Sequence, residues 1–302
     1  MNVYYSPRYV GSSYAFGTTR KAKWLADSLK TLPIAGVQLV EPKMLSRDQI
    51  VQVHDPAYVG AVQTGRPRNL AESQGFDWDA GLWNMVLASN GGAVAAALEA
   101  IGSGIAGSLS SGLHHARHDS GAGFCTFNGL AIAAHEALAA GASSVLILDL
   151  DAHCGGGTAS LIADEPHIRQ VDVSVNSFDS YHSNERIRLT LVQRSEEYVG
   201  EIERALKKIT LEGPRFDLCL YNAGMDPFEH CPTGGLAGIT QEMLAARERL
   251  VFDWCRQQEL PVAFVLAGGY IGEHLTEQGV VKLHRLTLSA AAASHQLREP
   301  DG

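Results

Sequence analysis

Asp149, Asp151 and His153 stand at alternate positions in Val145-Leu146-Ile147-Leu148-Asp149-Leu150-Asp151-Ala152-His153-Cys154-Gly155-Gly156-Gly157. The apolar start of this run suits a strand covered on both faces. A strand repeats every two residues, so Asp151 and His153 project to the same side at its carboxyl end. Open parallel sheets hold their ligands there, and a carboxylate beside an imidazole can be half of a metal site. The same residues suit a plainer structure, with Asp151 capping the next helix and His153 a satisfied polar residue. Short D-x-H matches arise by chance, so this segment alone leaves both readings open.

Three other loops carry polar groups in the company of glycine. Gly112-Leu113-His114-His115-Ala116 follows an expected strand at 106–109. Asn222-Ala223-Gly224-Met225-Asp226-Pro227 follows one at 216–222. Gly268-Gly269-Tyr270 follows one at 261–267. In a parallel sheet, all of these loops converge on one rim. Read alone, His114-His115 also fits a surface turn, and Tyr270 a residue capping the sheet.

The elements that must position these loops are legible as punctuation between apolar runs. Strands are expected at 3–5, 37–40, 106–109, 145–151, 168–175, 216–222 and 261–267. Helices are expected at 19–32, as two short pieces within 46–64, and at 82–101, 129–140, 158–164, 195–209, 240–258 and 279–295. Ser195 is read as a helix cap, with Glu196 and Glu197 in the favourable first turn. The stretches 11–17, 65–79 and 176–194 read as loops. Gly91-Gly92 inside the helix at 82–101 costs about 1 kcal/mol per glycine relative to alanine, so close packing is expected to compensate. Alternating strands and helices imply right-handed crossovers and a mostly parallel sheet flanked by helices, an α/β fold. No repeat, low-complexity segment or linker divides the chain, so one domain spanning 1–302 is expected.

Composition narrows the function. The chain has 302 residues, 45% apolar and 19% charged, which is ordinary for a globular protein with a large core. Its net charge of -9 forgoes the phosphate attraction that dominates nucleic-acid binding, so no nucleic-acid partner is expected. Cys125, Cys154, Cys219, Cys231 and Cys255 form no C-x-x-C pair, which points to a reducing compartment. The N-terminus shows no signal-peptide pattern. No window reads as long and apolar enough to span a bilayer, so no membrane partner is expected and the cytoplasm is the default location. A homo-oligomer is compatible with the sequence.

Taken together, these segments resemble the histone deacetylase superfamily, on the arginase–deacetylase fold, which includes bacterial deacetylase-like amidohydrolases and acetylpolyamine hydrolases. Tyr5-Ser6-Pro7-Arg8-Tyr9-Val10 is similar to the family's opening strand, and Val53-His54-Asp55-Pro56-Ala57-Tyr58 to its early helix. The stretch 111–128 is similar to its paired-histidine and G-F-C segment. The D-x-D-x-H run, Asp226 and Gly268-Gly269-Tyr270 follow in the family's order.

The resemblance implies a three-layer single-domain fold and a divalent metal, usually zinc, one per chain, on Asp151, His153 and Asp226. Three protein ligands leave a position open for water, whose pKa the metal lowers to roughly 7 in the best-studied zinc enzymes. It implies His114 and His115 as general base and general acid in an order left open, Asp149 orienting His114, and Tyr270 stabilising the oxyanion. Gly123 and Phe124 would line an acyl tunnel. A structural potassium ion would sit on carbonyls of Asp149, Asp151 and His153 with Ser174 and Val175. The implied reaction removes an acyl group, such as acetyl, from a small-molecule or peptide amine.

Three departures stand out. Cys154 replaces the family's second histidine, and is read as a packed residue rather than a ligand. Gly156 replaces the Asp or Asn that partners the second catalytic histidine, so His115 is expected to lose its orienting group. Cys231-Pro232 stands where relatives have Asp-Pro. The missing partner motivates a second reading, a metal-bound acyl-amine binder without turnover. A ureohydrolase is a third, although Gly155 and Phe228 occupy the positions where its extra carboxylates would sit. Glu72, Asp77, Asp79, Asp179 and Glu185 are read as solvated loop residues that could draw in a cationic amine.

Overall fold

The computed structural model describes residues 1–12 and 17–298. Most of the loop expected at 11–17 therefore lies outside the described residues. Eight strands form one sheet: β1 (Asn2–Tyr4), β2 (Gln38–Val40), β3 (Ile105–Ser108), β4 (Val145–Asp149), β5 (Ile168–Ser174), β6 (Ile187–Leu191), β7 (Leu218–Ala223) and β8 (Val262–Leu266). Their order is β2-β1-β3-β8-β7-β4-β5-β6, and every described pair is parallel.

Helices cover both faces: α1 (Gly17–Thr31), α2 (Arg47–Val51), α3 (Pro56–Thr64), α4 (Arg68–Ala71), α5 (Leu82–Ser103), α6 (Gly129–Ala139), α7 (Gly156–Leu161), α8 (Tyr198–Glu212), α9 (Gln241–Gln257) and α10 (Glu277–Gln296). The strand period sorts the core. Leu146 and Leu148 of β4 pack with Tyr198, Phe252 and Leu283 from α8, α9 and α10, whereas Val145 and Ile147 face Val86, Ala97 and Ala133 from α5 and α6. A continuous apolar run is what burial on both faces demands.

The expected loop 176–194 contains β6, which pairs parallel with β5 from Gln170↔Ile187 to Ser174↔Leu191. Ile187-Arg188-Leu189-Thr190-Leu191 buries only Ile187 fully. Such a half-polar edge strand takes its conformation from the backbone ladder rather than from its side chains. Ser195 lies inside a 3₁₀ turn, Ser195–Glu197, and α8 begins at Tyr198 without a side-chain cap. The expected cap at Ser195 is therefore not made. Thr240 does cap α9, accepting from Met243 N.

The helix α5 corrects another expectation. By length and composition it could cross a bilayer, but 67% of its apolar window is buried inside the fold. Its glycines are packing requirements. A Cβ on Gly91 would lie 2.1 Å from the Lys43 carbonyl oxygen, and one on Gly92 would lie 1.8 Å from the Tyr9 hydroxyl.

Parallel pairing puts the carboxyl ends of β3, β8, β7 and β4 side by side. The four loops singled out in the sequence leave from these ends.

Candidate active site

Asp151 and His153 leave β4 and Asp226 leaves β7, and the three side chains meet. One ligand atom from each lies within 4.8 Å of the others, and all three residues are buried. His153 Nδ1 is 3.1 Å from Asp151 Oδ1 and 3.1 Å from Asp226 Oδ2. The remaining carboxylate oxygens are pinned by backbone: Gly268 N donates to Asp151 Oδ2 at 2.7 Å, and Ala152 N donates to Asp226 Oδ1 at 3.0 Å. Asp226 Oδ2 is buried, and beyond its His153 neighbour it has no hydrogen-bond partner. Gly268 must be glycine, because a Cβ there would lie 2.0 Å from that oxygen.

This donor set fits a divalent cation: two oxygens and one nitrogen gathered within 4.8 Å of one another, with Asp151 facing a cavity. Burial opposes charge on His153, but Asp151 and Asp226 outweigh it and push its pKa up to about 10. Burial, then the Asp151 charge, raises Asp226 to about 6. Binding a metal here displaces protons.

The paired histidines follow β3 on a turn in which Leu113 takes φ 55°. His114 Nδ1 lies 2.8 Å from Asp149 Oδ2, and its Nε2 lies 3.6 Å from Asp151 Oδ1. Asp149 Oδ1 accepts from Asn222 Nδ2 at 2.8 Å, so the expected orienting carboxylate is itself held. Burial disfavours charge on His114, yet Asp149 and Asp151 push its pKa up to about 10. The His115 ring centroid is 4.0 Å from that of His114. Burial and then the neighbouring His114 push the His115 pKa down to about 4.

The expected loss of an orienting group at His115 is not what the structure contains. His115 Nδ1 lies 2.9 Å from Asp179 Oδ2. Asp179 comes from the loop after β5, and its side chain is only 8% exposed and also engages Arg117. It is therefore no solvated rim charge. Glu72 and Asp79 are likewise engaged: Trp78 N donates to Glu72 at 2.9 Å, and Gly81 N donates to Asp79 at 2.6 Å. Asp77 and Glu185 are exposed.

Tyr270 follows β8 and lines a cavity of about 770 Å³, mouth included, with His114, His115, Asp151, Gly123 and Phe124. Burial, then Asp226 and Asp151, hold the Tyr270 phenol well above its ordinary pKa, so it stays a proton donor. Phe124 takes φ 67° and stacks on Phe76 with centroids 5.2 Å apart. Gly123 makes room for His115, whose Cδ2 would be 2.4 Å from a Cβ there. Phe178, half exposed, sets its edge or face against His115 and His153. Cys154 is buried, with Sγ donating to Asn176 O at 3.3 Å, and stands outside the metal cluster. Ser174 Oγ donates to His153 O at 3.2 Å, which brings two of the expected potassium ligands together. Cys231 is buried, and burial pushes its thiol up to about 12.

Sequence reasoning missed Phe76, Phe178, the role of Asp179, and Lys21. Lys21 is buried in α1 with Nζ donating to Ala267 O, and no local pattern separates it from Arg20 and Lys23. It also missed Asn128, which the capping signal before Gly129 could have found. Its side chain accepts from Ala131 N and donates to the carbonyls of His114 and Ala116 at 3.2 Å each, fixing the histidine turn.

Behind Asn128 sits His54. Asn128 N donates to His54 Nε2 at 2.9 Å, so Nδ1 carries the proton and donates to Arg117 O at 2.7 Å. Burial, against those backbone contacts, pushes the His54 pKa down to about 4. The unfolded chain thus binds a proton that the folded one refuses between pH 6.5 and pH 4, and stability falls as pH drops through that window. From pH 7 to pH 5, His54 should cost about 2 kcal/mol. Urea unfolding of His54→Gln at both pH values should show a pH difference smaller by that amount. An unchanged difference would refute the assignment.

Residues 17–284 match the histone deacetylase domain family model. An uncharacterized protein of Picosynechococcus sp. is 34% identical over 238 residues, covering 77% of this chain and 79% of its own. A probable deacetylase of Methanothermobacter thermautotrophicus is 28% identical over 274 residues, covering 82% and 79%. Histone deacetylase 2 of Arabidopsis thaliana is 28% identical over 210 residues, covering 64% of this chain and 54% of its own. Among solved structures, the HDA15 HD domain superposes with TM-score 0.78 at 18% identity, over 97% of this chain and 89% of that one. An acetylpolyamine aminohydrolase from Burkholderia pseudomallei superposes with TM-score 0.76 at 19% identity, over 97% and 99%. The architecture is the arginase–deacetylase fold, and the chain belongs to the histone deacetylase family.

Proposed function

We propose that this protein is a zinc-dependent amidohydrolase that removes an acyl group, acetyl in the simplest case, from an amine such as acyl-lysine or an acetylpolyamine. The observation that carries the reading is convergence: His114, His115, Tyr270 and Asp151 face one cavity, with His153 and Asp226 completing the buried triad behind it. Asp151, His153 and Asp226 would hold the cation, which would supply Lewis acidity toward the amide carbonyl and the attacking water.

The chain's own groups carry the protons. His114, oriented by Asp149, and His115 stand close enough together for one to take a proton from water and the other to deliver one to the departing amine. The Tyr270 hydroxyl donates to the oxygen on which negative charge develops. Phe124, backed by Phe76, offers a flat wall for the acyl or methylene chain. A potassium ion would take the oxygens of Asp149, Asp151, His153, Ser174 and Val175, of which those of His153 and Ser174 lie 3.2 Å apart.

Neither other reading gains support. The binder without turnover rested on an unpartnered His115, which Asp179 now partners. A ureohydrolase needs a second metal and further carboxylate ligands, and Gly155 and Phe228 stand where the resemblance would put those carboxylates.

The test is hydrolysis of acetyl-lysine peptides, acetylpolyamines and longer acyl-lysines, with metal measured on the same sample. One metal per chain, turnover, loss on chelation and recovery on adding zinc are expected. A fully loaded protein that hydrolyses none of these amides would overturn the reading.

A further inference from the structure

The family's orienting residue for the second histidine belongs at position 156, where this chain has glycine. We propose that Asp179 is the positioning residue for His115, reaching from another strand-end loop into the space that Gly156 leaves open. The catalytic meaning of this assignment rests on the deacylase reading; the pairing does not.

Three observations support it. Asp179 Oδ2 accepts from His115 Nδ1 at 2.9 Å and from Gly157 N at 3.0 Å, while Oδ1 faces the Arg117 guanidinium. The carboxylate is thus fixed by a backbone amide and a cation, as an orienting group must be. Gly156 and Asp179 also require one another. A Cβ at 156 would lie 2.3 Å from the Asp179 carbonyl oxygen and 2.5 Å from Oδ1. Finally, the loop is stitched to the metal-ligand loop: Asn176 N donates to Ala152 O at 2.8 Å, and Cys154 N donates to Phe178 O at 3.0 Å. Asp179 itself takes φ 59°, a conformation Asp tolerates better than most residues. A proton held on Nδ1 by this carboxylate leaves Nε2 as the nitrogen available to the cavity.

The experiment uses the metal-loaded full chain. Asp179→Gly keeps the backbone conformation and removes the carboxylate. It should lower kcat about 10- to 100-fold with KM and zinc content near wild type. Asp179→Asn, which keeps an acceptor without charge, should recover much of kcat with a displaced pH profile. Gly156→Ala should reproduce the Asp179→Gly loss by expelling the carboxylate.

Proton NMR gives a readout independent of turnover. The downfield Nδ1–H resonance assigned to His115 by its absence in His115→Gln should vanish in Asp179→Gly, while that of His114 persists. A folded, zinc-loaded Asp179→Gly protein with wild-type kcat and pH profile would overturn the proposal, as would an unchanged His115 resonance. If the wild type hydrolyses no acyl-amine yet loses the resonance in Asp179→Gly, the deacylase reading falls and the positioning contact stands.

Discussion

Asp151→Ala protein should bind no stoichiometric zinc and should turn over acyl-amine at least about 10³-fold more slowly than wild type. A metal supplies several kcal/mol of charge stabilisation to such a reaction, and each 1.36 kcal/mol is a factor of ten in rate. Asp151 is the hinge of the cluster, since its two oxygens face His153 on one side and the Gly268 amide on the other. Removing it leaves His153 and Asp226 as a two-ligand site, too few to hold the cation against competition from water.

A second consequence separates a lost metal from a lost fold. Zinc should raise the melting temperature of metal-free wild type, because binding to the native state alone stabilises it. Asp151→Ala should show no zinc-dependent rise while unfolding cooperatively. Full zinc occupancy with retained activity in this variant would remove the triad from the mechanism. Misfolding would appear as the loss of a cooperative transition rather than as the loss of its zinc dependence.

What the sequence made legible follows from how local each signal is. Asp149 could be read because it closes the apolar run of β4. The strand expected to reach residue 151 stops at Asp149, and Asp151 and His153 lie just beyond it, so the strand period did not place them and their nearness to the strand end did. Asp226 and Tyr270 were readable one step less directly, as polar residues at the ends of apolar strands that a parallel sheet must align. Asp179 was not, because its link to His115 spans 64 positions. The backbone bonds that hold its loop form only once the β4 and β5 ends are paired. Lys21 was hidden for the opposite reason: its helix is ordinary, and only tertiary packing buries that one of several cations. Strand β6 escaped because its side chains are half polar and its ladder to β5 supplies the order. Gly156 was read as leaving His115 without a partner, but a missing side chain is also a space that another can fill, and Asp179 fills it.

Tyr270→Phe should retain zinc and fold while kcat falls about 10²- to 10³-fold, the cost of removing one oxyanion donor. The cavity places Tyr270 with Asp151, His114 and His115, and burial holds its phenol above its ordinary pKa, which already lies well above neutral pH. A group that stays protonated donates at every working pH, so the variant should lose rate uniformly, without a new limb in the pH profile. KM should change far less than kcat, because the hydroxyl matters most when the carbonyl oxygen gains charge. This pattern differs from Asp151→Ala, which loses metal, and from Asp179→Gly, which alters the pH profile by releasing an imidazole. If Tyr270→Phe raised KM and left kcat alone, the hydroxyl would be a ground-state contact and the oxyanion donor would have to be sought elsewhere in the cavity.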